Sequence, residues 1–85
     1  MGELSSLPNI GKTVEAQLNQ VGIFTREQLA AEGSRGAWLK IQSIDASACI
    51  NRLLALEGAI EGVRKTELAP EIKSDLKTFY QEHKL

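Results

Sequence analysis

The sequence predicts an all-α fold: a compact bundle of five or six short helices with a helix-hairpin-helix-like unit at its N-terminus. Three observations carry this. Apolar residues recur at helical spacing, as in Val14, Leu18 and Val21 or Leu53, Leu56 and Ile60. β-branched and aromatic residues are sparse, and no alternating pattern of strand type is sustained. In Leu7-Pro8-Asn9-Ile10-Gly11-Lys12, a proline, a glycine and a lysine stand where one helix should stop and the next begin.

In chain order, residues 3–7 read as one short turn of helix stopped by Pro8. A second helix runs from about Lys12 to Val21, with Gly22 as the residue that reaches positive φ beyond its end. The third starts at Thr25, an N-cap with Gln28 at N3 as a capping box and Phe24 and Leu29 as a hydrophobic staple. It is expected to end at Gly33, after which Ser34 caps a fourth helix carrying Trp38, Leu39 and Ile41. Asp45 is then expected to cap the longest apolar helix, 46–61, whose stripe of Cys49, Leu53, Leu56 and Ile60 suits the centre of the bundle. Gly58, Ala59 and Gly62 there leave room for another backbone. Pro70 opens the last helix at a favoured N1 position, and Ile72, Leu76, Phe79 and Tyr80 form its buried face. A fainter echo at a spacing of 34 sets Leu4, Leu7 and Ile10 against Trp38, Ile41 and Ile44, and Gly11 against Asp45.

The chain of 85 residues is expected to be one domain, residues 1–85, able to bury about 60–65% of its unfolded surface. Its net charge is −1, so the molecule as a whole has no pull toward a polyanion. Neither part is basic: residues 1–44 hold four Lys/Arg and four Asp/Glu, and residues 45–85 hold six and seven. One cysteine and one histidine, Cys49 and His83, exclude an intramolecular disulfide and argue against a zinc or Cys/His catalytic centre. No apolar run approaches the roughly 20 residues of a membrane span, and no secretory signal is present. A reducing, cytoplasmic setting is expected.

The hairpin carries the only pattern aimed at a partner. In such turns two glycines flank an apolar plug, and main-chain N–H groups at the start of the second helix bind a phosphate. Here Ile10 is the plug, Gly11 the second glycine, and Lys12 and Thr13 the polar groups that follow. Asn9 replaces the first glycine, tolerating positive φ but filling space. Glu15 adds a negative charge one turn on. The candidate nucleic-acid-binding residues are therefore Asn9, Gly11, Lys12 and Thr13, set against the plainer reading of a tight turn between packed helices. Elsewhere, Trp38 reads as a core residue, Arg64-Lys65 as a small basic spot with Arg52 nearby or a solvated mixed surface, and Glu57 and Glu61 as a solvated pair without a third ligand.

The chain resembles the C-terminal domain of the TfoX (Sxy) competence-regulator family. The likeness rests on Leu7-Pro8-Asn9-Ile10-Gly11-Lys12, Val21-Gly22-Ile23, Thr25-Arg26-Glu27-Gln28-Leu29, Trp38, the run from Leu54 through Glu57-Gly58-Ala59-Ile60-Glu61-Gly62 to Arg64, and Leu76-Lys77-Thr78-Phe79-Tyr80. It covers roughly residues 4–80. The resemblance implies a helical domain related to helix-hairpin-helix folds, linked to the regulation of DNA uptake and competence genes, and here standing without the α/β N-terminal domain that often precedes it. Asn9, Gly11 and Lys12 carry over as its phosphate site.

The function expected from these readings is a non-enzymatic module that binds nucleic acid weakly and without sequence specificity, by contact with the DNA backbone, in competence or transcription regulation. The alternative is a protein-interaction or homodimerisation module without direct DNA contact, suggested by near-zero charge and the small residues at 58, 59 and 62. Neither reading calls for a cofactor, a metal, a small-molecule substrate or a membrane.

Overall fold

Glycine and proline set where this chain turns. A computed structural model describes residues 3–85, so the first two residues of the expected domain lie outside the described ones. Among the described residues there are a 3-10 turn at Glu3–Ser6, α1 at Lys12–Gln20, α2 at Arg26–Ile44, α3 at Ile50–Glu61, a second 3-10 turn at Lys65–Glu67 and α4 at Pro70–His83. The fold is all-α, with four α-helices and two 3-10 turns where five or six helices were expected.

The difference has local causes. Residues 3–6 wind as a 3-10 turn, because Pro8 stops the chain before an α-helical turn can close. Gly33 breaks the helical path where expected, at φ 83° and ψ 157°, so α2 is two helical stretches that meet at a kink and are counted as one element. Ser34 is no cap: its hydroxyl is buried and donates to Glu57 Oε1 at 2.7 Å. Asp45 does not cap α3 either. Its Oδ1 accepts from the Ser47 N–H at 3.0 Å, a turn that delays the helix until Ile50, with Cys49 in the N-cap position. The 34-residue echo fades at the same place: α1 begins directly after Gly11, whereas four residues separate Asp45 from Ile50. Ile10 is 5% exposed and Ile44 46%.

Other expectations match. Gly22 has φ 88°, and the Ile23 N–H bonds back to Leu18 O at 2.8 Å, closing a Schellman motif. Thr25 Oγ1 accepts from the Gln28 N–H at 3.1 Å, while Gln28 Oε1 reaches back one residue further than a strict capping box, to the Phe24 N–H at 2.7 Å. Phe24 itself stays 55% exposed.

α3 is the central element, packed against α2, α4 and the second 3-10 turn, while α1 packs on α2 and the first 3-10 turn. Leu4, Leu18, Leu29, Trp38, Ile41, Leu53, Leu56 and Leu76 are fully buried, so the first turn and all four helices feed one core. Trp38 lies at its heart. Its ring meets Tyr80 edge-on at 5.7 Å and Phe79 at 6.1 Å, and its Nε1–H donates to Cys49 O at 3.1 Å. The radius of gyration, 11.6 Å, is close to the about 12 Å expected of a folded chain this long. No helix among the described residues is long and apolar enough to cross a membrane.

Candidate nucleic-acid interface

The hairpin is built around Asn9, the residue that departs from the two-glycine pattern. Its φ is 69°, the left-handed conformation that asparagine tolerates better than other side chains. That backbone aims its amide at a segment 54 residues away. Nδ2–H donates to Val63 O at 3.0 Å, and Oδ1 accepts from the Lys65 N–H at 3.1 Å. The side chain thus pairs with the chain on either side of Arg64 as a peptide group would. Both of its polar atoms are engaged, so Asn9 joins the two turns.

Gly58 makes the room for this. A Cβ there would stand 2.5 Å from Asn9 Nδ2 and 2.7 Å from Val63 O. The seat that the sequence offered to a partner helix is therefore filled from within the chain. Gly62, at φ 79°, turns α3 into the 63–65 segment, and the Val63 N–H bonds to Gly58 O at 2.9 Å in a second Schellman motif.

The outcome is a cleft of about 550 Å³ lined by Pro8, Asn9 and the segment Gly62–Glu67. It sets Arg64 and Lys65 beside the turn that leads into α1. Arg64 is exposed and Lys65 half-buried. Glu67 lines the cleft too, and its Oε1 accepts from the Arg64 N–H at 3.0 Å. Arg52 does not join this group; its Nη1 sits 3.0 Å from Asp45 Oδ2.

On the α1 side, Ile10 is buried as the plug, and Gly11, Lys12 and Thr13 are exposed. Gly11 is the N-cap at φ −97° and ψ −175°, extended backbone that any residue adopts, and nothing lies within 4 Å of where its Cβ would be. Internal packing does not demand glycine here. Gly11 makes no side-chain capping bond, and the N–H groups of Lys12 and Thr13 have no partner among the described residues. Glu15 turns away from solvent. It is 6% exposed, and its Oε2 accepts from the Ser5 N–H at 3.1 Å, pinning the first 3-10 turn to α1.

Two carboxylates elsewhere have displaced pKa values. Asp45 is held well below its usual 3.8 by hydrogen bonds, the largest from the Ser47 hydroxyl, then from Gln17, the Ser47 N–H and Arg52. Glu61 is raised above 4.5, chiefly by its hydrogen bond with Glu57, with partial desolvation and the Glu57 charge adding to it. Glu57 is bonded to Ser34 as well, so this pair belongs to the packing of α2 on α3.

The TfoX C-terminal domain family model matches residues 1–80. Two crystal structures from Listeria monocytogenes share the fold. One, an uncharacterised protein in a triclinic form, is 46% identical with a TM-score of 0.92, covering 93% of this chain and 90% of that one. The other, a protein of unknown function in a tetragonal form, is 45% identical with a TM-score of 0.89, covering 92% and 96%. No curated protein matches the chain at a comparable level.

Proposed function

The chain belongs to the TfoX C-terminal domain family, and from that premise we propose that it is a non-enzymatic module that binds the nucleic-acid backbone without sequence specificity, in the service of competence or transcription regulation. The observation that carries the reading is the Asn9 clamp. It holds the uncapped start of α1, with its free Lys12 and Thr13 N–H groups, next to Arg64 and Lys65. Main-chain donors at a helix start and a guanidinium suit phosphate oxygens, and such contacts position a duplex without reading its bases. Gly11 leaves the approach to those donors open. The working residues are Gly11, Lys12, Thr13, Arg64 and Lys65, with Asn9 positioning the two turns. Within this reading the hairpin acts as a helix-hairpin-helix unit.

A salt titration of labelled duplex DNA tests it. Each phosphate contact contributes about −0.9 to the slope of log K against log salt. Lys12→Glu should lower that slope by about one contact, and Arg64→Glu with Lys65→Glu by about two. Binding that ignores salt, or survives these three reversals intact, would overturn the reading.

A further inference from the structure

The charges on α4 are sorted by side. At about 100° per residue, Lys73 and Lys77 share one flank of the helix, while Glu71, Asp75 and Glu82 share another about 120–180° away. The buried residues Ile72, Leu76 and Phe79 lie between the two. The lysine flank faces the second 3-10 turn, because Lys73 Nζ donates to Thr66 O at 3.0 Å. Thr66 also lines the cleft beside the hairpin. A second groove, of about 310 Å³, is lined by Pro70, Lys73, Ser74 and Lys77. The Lys73–Thr66 bond therefore ties a residue of one depression to a residue of the other.

A chain of net charge −1 in this way gathers Arg64, Lys65, Lys73 and Lys77 along one edge. Among the described residues none of these four cations lies within ion-pair distance of a carboxylate; the two ion pairs are Lys40–Glu32 and Arg52–Asp45. Glu67 is the one acid that lines either depression.

We propose that the lysine flank of α4 extends the phosphate-binding surface, so that the backbone of a DNA duplex runs from the hairpin past Arg64 and Lys65 onto Lys73 and Lys77. The proposal rests on the preceding reading and adds a second contact region to it. Charge complementarity selects the occupant. The second groove sets two ammonium groups one helical turn apart, beside Pro70 and Ser74, which suits a repeating anion. Lysine acts as a point charge on a flexible stem, which matches sequence-independent phosphate contact.

The test is a titration of a labelled mixed-sequence duplex at about 50 and 200 mM salt. Removing both contacts with Lys73→Gln and Lys77→Gln should lower the slope by about two contacts, so that over this range wild type loses about tenfold more affinity than the variant does. Lys77→Gln and Lys40→Gln change net charge equally, and only the first should reduce the slope, by about one contact. The Lys77 side chain makes no hydrogen bond among the described residues, so the single variant carries the test even where loss of the Lys73 bond to Thr66 disturbs the fold. Wild-type slopes for the α4 variants, or an equal effect from Lys40→Gln, overturn the proposal. If the wild type shows no salt-dependent binding, the preceding reading falls first. If binding depends on Arg64 and Lys65 but not on the α4 pair, only the extension falls.

Discussion

At the residue scale, Asn9 is the position where pattern and structure part most clearly. Glycine at 9 would complete the two-glycine hairpin and would keep the positive φ. It would also remove two hydrogen bonds and leave Val63 O and the Lys65 N–H without their partner in a half-buried place. Asn9→Gly is therefore expected to destabilise the fold by about 1–3 kcal/mol in chemical denaturation, although it brings the sequence nearer the hairpin pattern. Gly58→Ala gives the same contrast. Alanine in a helix interior usually gains about 1 kcal/mol over glycine. Here its Cβ would collide with Asn9 Nδ2 and Val63 O, so the substitution should instead lose about 1–3 kcal/mol. A stabilised Gly58→Ala variant would show that the clamp is loose.

The two displaced carboxylates predict opposite responses to pH. The Asp45 pKa is depressed in the folded state, so its contribution is present above its usual 3.8 and is lost as the pH falls below that value. Asp45→Asn should flatten the acid limb of the stability curve measured between about pH 5 and 2. Glu61 is raised, so ionising it opposes folding: its favourable contribution is complete below 4.5 and is lost as the pH rises through the folded value. Glu61→Gln should be at least as stable as wild type at neutral pH, with the difference vanishing in acid. Thermal melts at several pH values check both.

At the element scale, helix ends written in local chemistry were legible in the sequence. Thr25 and Gln28, Gly22, and Pro70 each act within a few residues, and each does what its neighbours imply. Ser34 and Asp45 look just as much like caps, but Ser34 is claimed by the distant Glu57, and Asp45 by Ser47 in a local turn together with Gln17 and Arg52. A side chain with several acceptors does not reveal from sequence which donor it will meet. Gly33 was legible as a break, and it is the kink at which the two helical stretches of α2 meet. Its φ of 83° and ψ of 157° fall in a region that is nearly glycine-only. Gly33→Ala should therefore cost about 1–3 kcal/mol, read as a lowered melting temperature. An unchanged melt would mean that α2 can pass this point straight.

At the scale of the whole molecule, the core was readable and the candidate site only half so. Trp38, Leu53, Leu56 and Leu76 advertise burial through helical spacing, and all are fully buried. Lys12, Gly11 and Thr13 announce themselves by lying next to Pro8 and Ile10. Arg64 and Lys65 do not, because what brings them to the hairpin is a contact between residues 54 to 56 positions apart. The one sign of it in the sequence was the pair Gly58 and Gly62, whose small size suggested a close approach without saying by what. Net charge is silent in a related way. A total of −1 does not show that Arg64 and Lys65 line one cleft, with Glu67, and Lys73 and Lys77 the other.

The central claim is that the two turns joined by Asn9 form one phosphate-binding surface. Amide chemical shifts followed while duplex DNA is added test it most directly. The account predicts that Gly11, Lys12 and Thr13 shift together with Arg64 and Lys65, with one common affinity, and that Asn9→Gly weakens both groups at once. Shifts confined to one turn, or centred on a distant residue such as Phe24 or Ile44, would contradict it.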